Sequence, residues 1–195
     1  MEISRGKSLW ILLASLFGGI GLGFAALLVW GVGKYVLQSA PSAVDGGGNE
    51  IRPSEVEIGS LAPGFTLDAL NGQQVKFDDL RGYPIMINFW ATWCGPCTSE
   101  MPLLQDRYDQ YGSHLLILAI NASEPRQDVL DYVNLEGLTF SILLDPDGSI
   151  QDLYNIHAYP TSFFIDAEGV LQAQHIGSLS ATQIDQYLRM IGVGK

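Results

Sequence analysis

The chain predicts an α/β domain, a central mixed sheet flanked by helices, on three observations. The run Tyr83-Pro84-Ile85-Met86-Ile87-Asn88-Phe89-Trp90-Ala91 is apolar on both faces, as a strand covered by helices on each side must be. A helical stretch, Gly95 to Tyr111, leads from it to a second buried strand, Leu115 to Asn121. Further on, Thr161 to Asp166 and Val170 to Ile176 pair around Glu168-Gly169, and an amphipathic helix follows from Ala181 to Ile191. A strand-helix-strand unit followed by a hairpin and a helix gives a sheet with both parallel and antiparallel neighbours.

The remaining elements fall between these. Phe65 to Asp68 and Gln74 to Phe77, separated by Asn71-Gly72, read as a short hairpin that extends the domain at its N-terminal side. Arg126 to Leu135 reads as a helix and Phe140 to Leu144 as a strand closed by Asp145-Pro146-Asp147-Gly148. Ser149 to Asn155 reads as a short helix. Residues 56–195 thus make one domain of ordinary size, with no internal repeat.

The first 55 residues have a different character. No residue from Ser8 to Gly33 is charged, and as a helix this stretch measures about 39 Å at ~1.5 Å per residue, against a hydrocarbon core of ~30 Å. Residues 8–33 are therefore expected to be a transmembrane anchor. A secretory signal has a shorter apolar region and a small-residue cleavage site close behind it, for which Ser39-Ala40-Pro41 and Ala43 are poor candidates. Gly19 and Gly23 either let two such helices approach closely or are ordinary membrane-helix glycines. Arg5 and Lys7 precede the span and Lys34 follows it, so residues 1–7 are expected in the cytoplasm and the rest of the chain outside it. Residues 34–55, with Asp45-Gly46-Gly47-Gly48-Asn49 and Arg52-Pro53-Ser54, read as a flexible tether reaching about 21–25 Å.

Charge narrows the partners. The formal net charge is −11, and residues 1–34 carry three basic residues against Glu2, leaving −13 for the remainder. Such a balance disfavours nucleic acid and keeps a tethered domain off an anionic membrane surface. The bilayer is contacted only through the anchor.

Chemistry concentrates in Trp93-Cys94-Gly95-Pro96-Cys97, which holds both cysteines of the chain. At a strand-to-helix junction the first sulfur meets the unpaired N–H groups and dipole of the helix N-terminus, which favour its thiolate. The second sulfur lies one helical turn on, within reach of a disulfide with the first. A purely structural bridge is a poor alternative, because closing so small a ring removes little chain entropy. Zinc wants about four ligands, and His114, His157 and His175 stand singly; c-type haem wants His after the second cysteine, where Thr98 stands. No metal or cofactor is expected.

Three segments carry a family resemblance: Gly59-Ser60-Leu61-Ala62-Pro63-Gly64-Phe65-Thr66-Leu67, Asn88-Phe89-Trp90-Ala91-Thr92-Trp93-Cys94-Gly95-Pro96-Cys97, and Tyr159-Pro160-Thr161-Ser162-Phe163-Phe164-Ile165-Asp166. On them residues 56–192 resemble the thioredoxin superfamily, and within it the membrane-anchored TlpA/ResA-like branch that includes the cytochrome c maturation thioredoxins. The resemblance implies a thioredoxin-like fold and an extracytoplasmic thiol-disulfide oxidoreductase. Its implied partners are protein disulfides and a membrane thiol-electron transporter as reductant.

The resemblance also implies roles. Cys94 is the expected nucleophile and Cys97 the resolving thiol that releases reduced substrate. Pro96 lacks an N–H, which costs little in a first turn, and Gly95 lets a partner chain approach. Trp93 is either a lid beside the sulfurs or core. In the family the proline matching Pro160 is cis and faces the disulfide, and the residue before it, here Tyr159, pairs its backbone with the substrate. Pro102 matches the proline that kinks the active-site helix. Thioredoxin itself carries a buried aspartate at the position of Asn88, which cannot accept a proton; Glu100, where the TlpA/ResA-like branch has a glutamate, either replaces it or is a solvated helix carboxylate.

Two other readings compete with the reductase. Ala62-Pro63-Gly64-Phe65 is shared with peroxiredoxins, but their threonine lies three residues before the reactive cysteine and Thr92 lies two before Cys94. The other reading is a redox-sensing or substrate-presenting tether without turnover.

Overall fold

The computed structural model describes residues 56–194. The expected cytoplasmic tail, anchor and tether (1–55) lie outside the described residues, among which no helix is long and apolar enough to cross a membrane.

Seven strands form one sheet: β1 Thr66–Ala69, β2 Gln74–Lys76, β3 Ile85–Trp90, β4 Leu116–Ala122, β5 Ser141–Asp145, β6 Thr161–Ile165 and β7 Leu171–Ile176. Among the described residues four α-helices accompany it: α1 Gly95–Tyr111, α2 Arg126–Glu136, α3 Ser149–Leu153 and α4 Ala181–Met190. The strand order is β2-β1-β5-β4-β3-β6-β7. β3, β4 and β5 run parallel and the other neighbours antiparallel, so the sheet is mixed. This is the thioredoxin-like α/β fold.

The period-2 geometry of β3 divides the interior in two. Met86 and Trp90 face a core with Met101 and Leu104 of α1, Val129 and Val133 of α2, and Ile184 and Leu188 of α4. Ile85, Ile87 and Phe89 face a second core with Phe65, Phe77, Ile150 and Tyr154. Both faces of the strand are covered, which is why its sequence is apolar throughout. In the second core the Phe65 and Phe77 rings stack at 5.1 Å, and Phe163 meets Tyr154 edge-on at 5.1 Å. Arg107 of α1 grips Asp185 of α4 through two hydrogen bonds of 2.5 and 3.1 Å, fixing these helices side by side.

The elements differ from expectation at their ends. The first hairpin is no appendage: β1 also pairs with β5, through Asp68↔Leu144 and Ala69↔Leu143. Phe77 leaves the strand for a 3-10 turn, Phe77–Leu80, which buries its ring against Phe65. β5 starts at Ser141 rather than Phe140, and β7 at Leu171 rather than Val170, where an irregularity between Phe164 and Ile165 shifts the pairing. Helix α3 stops before Asn155, whose φ of 55° cannot continue a helix. Gly137 ends α2 in the left-handed region at φ 66°, with its N–H on the Val133 carbonyl.

Candidate active site

The site grows from the junction of β3 and α1. Cys94 is the N-cap of α1 in an extended conformation, and its Sγ accepts the backbone N–H of Cys97 at 3.2 Å. A first-turn N–H that would otherwise lack a partner is thus aimed at this sulfur. Pro96 occupies the first turn, where its missing N–H is harmless. Cys94 and Cys97 are joined in a disulfide, with Cα atoms 5.2 Å apart. Cys94 is the more exposed of the two, at 6% against 0%. Pro102 lies inside α1, where it withholds one helix hydrogen bond.

Two other segments reach this junction, the one with Tyr159 and Pro160 and the loop after β7. Trp93 stands out into solvent, 67% exposed, and its ring meets that of Tyr159 edge-on at 5.8 Å, so it is surface and not core. The Tyr159–Pro160 peptide is cis and Pro160 is buried. From the loop after β7, Ser178 Oγ donates to the Pro96 carbonyl at 3.3 Å. Gly95 is exposed, with open space where a Cβ would stand.

Beneath the disulfide lies a buried polar cluster. Asn88 of β3 and Ser162 of β6 are register partners on the face that α1 covers. Asn88 Nδ2 donates to Ser162 Oγ at 3.0 Å and to Glu100 Oε1 at 2.8 Å. The other carboxylate oxygen accepts the Leu179 N–H at 2.9 Å. Glu100 is 1% exposed, so it is no solvated helix charge. Burial holds its carboxyl above the usual range, and the bonds from Leu179 and Asn88 only partly oppose this. A carboxyl held above its usual range one helical turn from a buried thiol is suited to exchange a proton with it.

One contact went unread in the sequence. Glu124, in the loop between β4 and α2, accepts the Thr92 N–H at 2.8 Å, the Thr92 hydroxyl at 2.5 Å and Asn121 Nδ2 at 2.6 Å. It therefore holds the backbone two residues before Cys94. The available signal was its place just past the C-terminal end of a buried parallel strand, where functional groups of α/β sheets collect.

Fold and site together define a thioredoxin-type domain built for thiol-disulfide exchange. Residues 58–174 match the AhpC/TSA family, and the chain belongs to it, within the thioredoxin superfamily. It is 35% identical over 136 residues to the thioredoxin-like protein YneN of Bacillus subtilis, across 68% of this chain and 79% of that protein. It is 36% identical over 137 residues to the thiol-disulfide oxidoreductase ResA of Geobacillus kaustophilus, across 70% of this chain and 79% of that one. Among solved structures it is similar to StoA from Bacillus subtilis, with 28% identity and a TM-score of 0.57 over 64% of this chain and 96% of that one. It is also similar to a thioredoxin-family thiol:disulfide interchange protein from Chlorobium tepidum, with 25% identity and a TM-score of 0.63 over 69% of this chain and 97% of that one.

Proposed function

We propose that this chain is a membrane-anchored, extracytoplasmic thiol-disulfide oxidoreductase that reduces protein disulfides, apocytochrome c among its candidate substrates. The observation that carries the reading is the Cys94 sulfur capping α1, because the N–H it accepts would stabilise a thiolate there. In the dithiol state the Cys94 thiolate attacks one sulfur of a substrate disulfide. A mixed disulfide forms, and the other substrate sulfur leaves as a thiolate. Cys97 passes its proton to Glu100, attacks Cys94, and displaces the second substrate thiolate. Two electrons have then moved to the substrate, leaving the Cys94–Cys97 disulfide.

Trp93, Gly95, Pro96, Tyr159 and Pro160 together line the groove for an extended substrate segment, with Trp93 and Tyr159 side by side on one wall of it. An uncleaved anchor at 8–33 and a tether at 34–55 keep the domain, 56–195, outside the cytoplasm with residues 1–7 inside. A membrane thiol-electron transporter regenerates the dithiol. The apolar, uncharged stretch and the extracytoplasmic resemblance support this placement.

The direction of transfer is tested by equilibrating the full chain in glutathione buffers and counting thiols. A potential near the thioredoxin value of about −270 mV supports a reductase. A potential near about −120 mV would make it an oxidant instead.

A further inference from the structure

A second buried network approaches the site from the far side of the cis peptide. Asp145, at the end of β5 and 1% exposed, accepts the N–H groups of Ile150 (3.2 Å) and Gln151 (3.0 Å), the Ser149 hydroxyl (3.5 Å) and Gln151 Nε2 (3.1 Å). Gln151 Nε2 also reaches Ser123 Oγ at 3.3 Å, while the Ser123 hydroxyl donates to the Asp145 carbonyl at 2.9 Å. Ser123 holds this place from a left-handed backbone, φ 57°.

These bonds decide which way the Gln151 amide points. A carboxylate can only accept, so Nε2 must face Asp145, and the amide has a single acceptor left, Oε1. That oxygen accepts the Tyr159 hydroxyl. Burial, aided by the Asp145 charge, holds the phenol protonated, as a donor must be. The far end of the Tyr159 ring is therefore held by Gln151, and the ring meets that of exposed Trp93 edge-on.

We propose that Gln151 is a positioning residue that locks Tyr159, and through it Trp93, into one aromatic wall beside the disulfide for an apolar or aromatic side chain of a polypeptide substrate. It acts on substrate affinity and not on sulfur exchange, because it touches neither cysteine. The inference rests on the reading that Trp93 and Tyr159 face the substrate. A freely turning Tyr159 would leave Trp93 without its partner, and the wall would have to be ordered anew on each encounter.

The test uses the full chain with insulin as the substrate to be reduced and, in the opposite direction, a dithiol peptide with a tryptophan beside its cysteine as the substrate to be oxidised. Gln151→Met, Tyr159→Phe and the double variant are compared with the parent. Because both single changes break the same hydrogen bond, each should raise KM about fivefold and the double variant no further, with the loss confined to KM. KM effects that multiply, a fall in kcat at unchanged KM, or a Gln151→Met variant that behaves as the parent would each overturn the proposal. Should Gln151→Met fail to fold, Tyr159→Phe decides alone, since it leaves the bonds among Asp145, Gln151 and Ser123 in place. A raised KM supports the proposal and an unchanged one refutes it. A chain that oxidises the peptide but cannot reduce insulin would refute the reductase reading, while the variants would still report on Gln151.

Discussion

Glu100→Gln keeps the side chain's size and an oxygen for the Leu179 N–H, while Asn88 must turn its unpartnered Oδ1 towards the new amide NH2, and it removes the group able to take a proton. The effect belongs to one step. Cys97 is fully buried, so burial disfavours its thiolate, and it must lose a proton before it can attack the mixed disulfide. Positioned general bases contribute typically 10²–10⁴-fold. The lower end applies here, because the bonds from Leu179 and Asn88 favour the ionised carboxyl and so weaken it as a base. Resolution should slow about 100-fold at pH 7, equivalent to about 2.7 kcal/mol of barrier. The Cys94 attack should change far less. Rapid acid quench after mixing the dithiol form with a disulfide substrate separates the two steps. In the parent, resolution should rise with pH through the elevated Glu100 titration and then level off. In the variant the part of this rise that follows Glu100 should be absent. Equal slowing of both steps, or unchanged resolution between pH 6 and 9, would refute the reasoning.

The same residue has a stability signature. Its folded-state pKa is raised, so its contribution is fully present below the ordinary value of 4.5 and is lost as pH rises through the folded-state value. The stability of Glu100→Gln relative to the parent should therefore rise from acid towards neutral pH, as urea unfolding at a series of pH values would show.

Three further outcomes follow from the geometry. Cys97→Ser should attack and accumulate mixed disulfides with substrate, whereas Cys94→Ser should form none, and equal trapping on gels would undo the assignment of roles. Glu124→Ala removes the acceptor for the Thr92 and Asn121 donors and should cost about 1–3 kcal/mol in urea unfolding, while a change below about 0.5 kcal/mol would mean that water replaces it. Phe163→Ala deletes a ring packed edge-on against Phe89 and Tyr154 in the core that does not contain the cysteines, so it should cost about 3–5 kcal/mol yet leave disulfide exchange intact at low temperature.

What the sequence determined on its own was local. An apolar run flanked by Pro84 and the Trp93–Cys97 turn could only be a strand buried on both faces leading into a helix, because the periods of strand and helix are written in neighbouring residues. The helix N-terminus at Cys94 follows from the same local pattern. So do the turns at Asn71-Gly72 and Glu168-Gly169, where glycine permits a backbone that other residues resist. Tertiary structure decided the rest. Whether Glu100 was a surface charge or a buried acid depended on its meeting Asn88 of β3 and on the loop after β7 bringing the Leu179 N–H to it, 79 residues away in sequence. The Thr92–Glu124 and Gln151–Tyr159 contacts depend likewise on which loops the parallel crossovers bring to one end of the sheet. Local pattern places an apolar residue inside because burial requires no particular partner, whereas a buried polar group needs a named one, and only the folded chain supplies it.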